Sequence, residues 1–190
     1  RFTNTVHDRI FLSVTSQKPN MLNRQQLKKR IEENGLIQDY IDLETQLTPQ
    51  GFDLTAGEIH RYIGKGKLDF SNSEREIPES EKIRPEKENE EDDYGWWHLE
   101  PGVYKVVMNE KVDIPETLAG LAFPRSSLLR MGCTVENAAW DAGFTGTGSF
   151  MLEVNNPEGV SIKENARLNQ LLFYEIEETE KAYSGRYQEE

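Results

Sequence analysis

From Gly51 onward the chain is a series of short apolar-rich runs punctuated by glycine, proline and asparagine, with no helical pattern alternating between them. The runs are GFDLTAGEIHRYIG (51–64), GVYKVVMN (102–109), TLAGLAF (117–123), CTVENAAW (133–140), SFMLEVNN (149–156) and RLNQLLFYEIE (167–177). Strands joined by turns rather than by helices predict a mainly β chain, an antiparallel barrel or jelly roll. At 190 residues one core suffices, because a chain of this size buries about two thirds of its unfolded surface. One short helix precedes the strands. Asn23 can cap it, Gln26 stands where a capping-box partner would, and Leu22 with Leu27 has hydrophobic-staple spacing. Leu27 and Ile31 share its apolar face, and Gly35 suits its end.

Charge narrows the function. The net charge of −12 argues against nucleic-acid binding, which needs a basic face. Half of it sits in EREIPESEKIRPEKENEEDD (74–93), with ten acids, four bases, two prolines and no aromatic. Such a stretch buries too little to hold itself in place and reads as a solvated insertion. The single cysteine, Cys133, cannot form an internal disulfide, and no Cys/His cluster offers a zinc site. His7, His60 and His98 are scattered and read as surface or packing residues. With no apolar run near the roughly 20 residues of a membrane span, a soluble, cytoplasmic protein without membrane partners is expected. Residues 1–20 precede Met21 as an extension to which the sequence assigns no role.

Within this acidic chain Leu118–Gly132 holds two arginines and no acid. Its centre, PRSSLLRMG (124–132), reads as one helical turn with Ser126 and Ser127 at its start. Arginine forks and helix-start N–H groups suit phosphate oxygens. Taken alone, the turn is more often an ordinary capped loop. Asp141, in WDAGFTGTG (140–148), taken alone is a turn residue ahead of Gly143.

Read in order, QGFDLTAG, PRSSLLR, WDAGFTG, RLNQLLF and the tail YSGRYQ (183–188) resemble the motif series of the dCTP deaminase/dUTPase superfamily, and within it the archaeal dUTPase branch. The resemblance implies a distorted jelly-roll subunit, a homotrimer with sites where subunits meet, and dUTP as substrate. It implies a single domain over 21–178, with the acidic insertion near 74–93, and a flexible tail, 179–190, that covers the triphosphate. Arg125, Ser126, Ser127 and Arg130 would grip the triphosphate, with Gln170 supporting them and Tyr183, Arg186 and Gln188 closing from the tail. Asp141 would activate the attacking water, Phe144 would lie against the deoxyribose, and the backbone of 135–141 would read the base. The competing reading for Phe144 is plain core packing. Asp53 reads as a strand-end carboxylate bonded to backbone, structural rather than catalytic. Mg²⁺ would enter mainly on the substrate phosphates, so no carboxylate cage is needed.

The superfamily holds two activities. Its deaminating members resemble D-x-G-x-x-G-x-x-x-L-E, whose glutamate, ten positions after the aspartate, serves as acid/base on the base ring. Here that offset carries Met151, and Glu153 follows two positions later. On a strand two residues keep the face but shift the group by about 7 Å. A bulge at Gly146–Gly148 would restore Glu153 to the deaminase position. Without one, the resemblance favours dUTP diphosphatase activity, which limits uracil in DNA and supplies dUMP. A dCTP deaminase or a bifunctional enzyme is the alternative, and a non-enzymatic β-barrel assembly module is the third reading.

Overall fold

A computed structural model describes residues 20–188; residues 1–19, which hold most of the N-terminal extension and His7, and residues 189–190 lie outside it. Helix α1 (Arg24–Asn34) starts with a complete capping box: the Asn23 side chain accepts from the Gln26 N–H, and the Gln26 side chain accepts from the Asn23 N–H. Gly35 ends it in the left-handed region, at φ 68°. Leu22, Leu27 and Ile31 are buried, so the staple and the apolar face dock the helix on the core. A two-residue strand β1 (Ile37–Gln38) and a one-turn helix α2 (Leu43–Gln46) follow.

The remaining strands are β2 (Phe52–Ile63), β3 (Glu79–Ile83), β4 (Trp96–Leu99), β5 (Gly102–Asp113), β6 (Leu118–Pro124), β7 (Cys133–Glu136), β8 (Thr145–Val154), β9 (Val160–Lys163) and β10 (Arg167–Glu175), with a short helix α3 (Ser126–Arg130) after β6. The large sheet runs β6-β10-β2-β5-β8-β7, with β1 added to β5 and β3 to β2; β4 and β9 form a separate ribbon. All the pairings are antiparallel. The sheet nearly closes: beyond β7, Trp140 exchanges both backbone hydrogen bonds with Gly120 on β6, at 3.0 and 2.9 Å. This is the mainly β, barrel-like fold that the run pattern predicts.

The structure corrects one local reading and refines two. The run 133–140 is strand only to Glu136, because the Asn137 side chain pairs with Asn169 and turns the chain from β8 toward β6. The charged stretch 74–93 contains β3, whose edge position suits its charged residues; it pairs with β2 over Ile59–Ile63, with Lys82 bridging to Glu58 at 2.6 Å. Finally, the irregularity opposite Gly146–Gly148 lies on β5, where Val107 to Lys111 spans four residues against two from Ser149 to Thr147. β8 carries no excess there, so Glu153 is not drawn back to the offset of Met151.

Inside the barrel sits a fully buried acid, Glu110. Glu110 accepts from Gln46 Nε2 and Thr55 Oγ1, both at 2.6 Å, and from the Thr55 N–H at 3.0 Å. Burial pushes its carboxyl above the ordinary range, and the Thr55 and Gln46 hydrogen bonds offset only part of that. The folded state therefore holds the proton more tightly than the unfolded chain. Stability from this group is full below the ordinary glutamate value and is lost as the pH rises through the raised one. Thermal unfolding of Glu110→Gln from mildly acid to neutral pH should lack that fall. Glu110→Ala leaves three donors unpaired and should cost about 3 kcal/mol.

Candidate functional site

The seam that closes the sheet also makes a pocket. Asn137–Asp141, Phe144, Thr147–Ser149, Tyr183 and Tyr187 line a cavity of about 360 Å³. Its wall is fixed from both ends: Trp140 is bonded to Gly120, while Gly143 donates to the Ile114 carbonyl and Ile114 donates to that of Phe144, at 2.9 and 2.8 Å. Ahead of Trp140 the backbone of Asn137–Ala139 makes no backbone hydrogen bond among the described residues. Its N–H and C=O groups are therefore free to meet a planar ring with alternating donors and acceptors. The Trp140 ring lies on Gly148 of β8: a Cβ there would stand 2.2 Å from it. Only glycine lets that ring close the floor.

Asp141 is exposed at the pocket rim. Its carbonyl accepts from the Phe144 N–H, closing the turn at 3.1 Å. Among the described residues its carboxylate makes neither hydrogen bond nor ion pair, so the turn does not use the side chain. Phe144 is 9% exposed and packed edge-on between Trp140 and Tyr183 at centroid distances of 5.5 and 5.6 Å, as the core-packing reading expects, and it also lines the pocket.

The C-terminal tail lies on this same pocket. The Tyr183 N–H donates to the Ala142 carbonyl at 2.9 Å, and Gln188 Nε2 donates to that of Gly143 at 3.1 Å. Gly143 has φ 83°, and a Cβ there would sit 2.6 Å from Ala182. Arg186 is exposed.

The arginine motif is built separately. Ser126, Ser127 and Arg130 are exposed on α3. Arg125 is held from below: its Nε stands 2.9 Å from Asp53 Oδ2, and Arg167 Nη1 approaches the same oxygen at 3.3 Å. Asp53 is 1% exposed, and it is bonded to arginine side chains, not to the backbone the sequence suggests. Burial pushes its carboxyl up, while Arg125, Arg167 and Gln170 pull it back in part. Asp53 Oδ1 has no hydrogen-bond partner among the described residues. Gln170 faces Asp53 across β2 and Phe123 across β6, and its amide donates to Thr48 Oγ1 at 3.0 Å.

No α3 residue, nor Gln170, lines the 360 Å³ pocket. One chain thus presents two separate features, a pocket with a free carboxylate and an arginine-serine turn. Asn169, fully buried, donates from Nδ2 to Asn137 Oδ1 at 2.6 Å and so ties the pocket wall to the strand carrying Gln170. Sequence reasoning missed Asn137, Asn169 and Arg167. Arg167 and Asn169 lay in the quoted RLNQ, but as a strand pattern they carried no sign of their partners. Glu153 lies opposite Thr134, four residues or about 13 Å along the strand beyond Ser149, the last β8 residue in the pocket lining.

The chain belongs to the dCTP deaminase-like family, whose model matches residues 21–176. It is 46% identical over 172 residues to a Methanosarcina mazei protein named "Probable deoxyuridine 5'-triphosphate nucleotidohydrolase", covering 90% of this chain and 97% of that one. It is 38% identical over 144 residues to the deoxyuridine 5'-triphosphate nucleotidohydrolase of Methanocaldococcus jannaschii, covering 76% of this chain and 88% of the other. Among solved structures, the 2'-deoxycytidine 5'-triphosphate deaminase of Agrobacterium tumefaciens shares the fold with TM-score 0.58 at 18% identity. That likeness covers 83% of this chain but 48% of the deaminase, so this chain spans about half its length.

Removing the shared carboxylate tests the arginine arrangement. Asp53→Ala would leave Arg125 and Arg167 facing each other uncompensated and should cost about 3 kcal/mol, the low end for a broken buried pair because both arginines reach solvent. Chemical denaturation of the variant against the parent measures it.

Proposed function

We propose that this protein hydrolyses dUTP to dUMP and pyrophosphate, a dUTP diphosphatase acting in the cytoplasm to keep uracil out of DNA and to supply dUMP. The kinship to nucleotidohydrolases of that name supports the reading, and one observation separates it from deamination. β8 has no bulge to return Glu153 to the pocket, and the offset where deaminating relatives carry glutamate holds Met151. Among the described residues the pocket lining therefore offers no second carboxylate to work on the base ring.

In this reading the free backbone of Asn137–Ala139 pairs with the uracil edge, and Phe144 packs on the deoxyribose. Arg125, Ser126, Ser127 and Arg130 hold the triphosphate, and Gln170 supports them. Tyr183, Arg186 and Gln188 close over it from the tail. Asp141 accepts a proton from water as the water oxygen bonds to the α-phosphorus; the bond to the bridging oxygen breaks and pyrophosphate leaves with its electron pair. The unengaged carboxylate of Asp141 suits that role. Because the pocket and the arginine-serine turn do not share a cavity within one chain, we propose a homotrimer in which the arginine motif of one subunit meets the pocket of another. The apolar exposure of Leu121, Phe123, Leu129 and Met131 around that motif, at 42–54%, fits such an interface.

The donor set fits Mg²⁺ delivered by substrate. Among the described residues no group of three or more His, Cys, Asp or Glu side chains is placed to hold a metal, so the ion would be carried by the substrate phosphates beside Arg125 and Arg130. When bound, the ion would supply charge neutralisation on the triphosphate.

Paired assays of pyrophosphate and ammonia release from dUTP and dCTP, with and without Mg²⁺, test the function. Pyrophosphate from dUTP, dependent on Mg²⁺, is expected; ammonia from dCTP with no pyrophosphate from dUTP would overturn it. Asp141→Asn should retain dUTP binding in calorimetry while kcat falls by about 10³-fold or more. Glu153→Gln should change dUTP hydrolysis less than twofold, whereas its collapse would return that glutamate to the site.

A further inference from the structure

We infer that the charged insertion is a working part of the pocket, in which Arg75 positions the C-terminal tail through Tyr187. The Arg75 guanidinium carbon stands 5.9 Å from the centroid of the Tyr187 ring, within the range of a cation–π contact. Tyr187 is one of the residues lining the pocket that holds Asp141 and Phe144. Arg75 Nε is buried and has no hydrogen-bond partner among the described residues, so the aromatic face is what the structure offers this cation.

The loop that carries Arg75 is tied to itself. Lys67 and Glu76 exchange backbone hydrogen bonds, both at 2.9 Å, and Lys67 pairs with Glu74 at 2.8 Å. Asp69 accepts from the N–H groups of Ser71 and Glu74, at 3.1 and 3.0 Å. The insertion therefore presents Arg75 from a preformed turn. The tail is otherwise fastened by Tyr183 to Ala142 and by Gln188 to Gly143 and, at 3.5 Å, to the Thr145 N–H. Arg186 lies between those fastenings. Fixing Tyr187 from outside limits where its neighbour can reach, so losing Arg75 weakens closure over a ligand without touching Asp141.

The kinetic arm of the test rests on the proposed dUTP hydrolysis; the proteolytic arm does not. Trypsin cleavage after Arg186 in the substrate-free protein, followed by intact mass, should be faster in Arg75→Ala than in the parent, with Arg75→Lys between them. In dUTP turnover Arg75→Ala should raise KM about two- to fivefold, the worth of one such contact, with the loss falling on KM rather than kcat. Tyr187→Leu should do the same, the double variant should be no worse than either single one, and Tyr187→Phe should keep the coupling to Arg75. Parental tail cleavage in Arg75→Ala, or effects of Arg75→Ala and Tyr187→Leu that multiply, would overturn the inference. If the parent releases no pyrophosphate from dUTP, the proposed function fails while the cleavage rates still decide this point.

Discussion

Two hydrogen bonds between Gly120 and Trp140 carry much of this architecture. The sheet order leaves β6 at one edge and β7 at the other, and an open β edge offers unpaired backbone groups. Trp140 joins the edges, and the residues leading to it become a wall held at its end but free of ladder bonds along Asn137–Ala139. In the proposed function closure and recognition are thus the same feature. A fully zipped seam would consume the groups that can meet a base, and an open one would leave Asp141 unplaced.

The Trp140 ring depends in turn on glycine at 148, where any side chain would collide with it. It touches Phe144, which touches Tyr183 of the tail. This run of edge-on aromatic contacts links the barrel floor to the segment that covers the pocket. Such contacts are each worth about 0.5–1.5 kcal/mol, enough to bias the tail toward the pocket and weak enough to let it leave. Arg75 adds a contact of the same order from the insertion, so closure is spread over several weak interactions.

The strand runs, the capped helix and the short turn after β6 were legible because each depends on local pattern: alternation, a cap residue, a glycine stop. The motif residues Arg125, Asp141 and Phe144 were legible through their order along the chain. What the sequence hid was pairing between distant segments. The Asp53 bond to Arg125 and Arg167 joins three strands' ends, and nothing near Asp53 in sequence says that its partner is an arginine. Asn137 reads as part of a strand until Asn169 is brought beside it. The insertion is solvated, with no buried residue over 74–93, but composition could not show that β2 supplies it with backbone partners and Glu58 with a counter-charge for Lys82.

Strand register gives the most specific chemical argument. Side chains on β8 alternate, so Thr147, Ser149, Met151 and Glu153 share one face and only distance along the strand separates them. The pocket ends at Ser149. A carboxylate two residues beyond it would lie at the rim, close enough to reach a ring; four residues beyond, it stands opposite Thr134 in the ladder. The two-residue excess that could have moved it falls on β5, where the slack lengthens the opposite strand and leaves Glu153 in place. A shift of about 7 Å thus leaves Glu153 outside the pocket lining, while Asp141 stays within it.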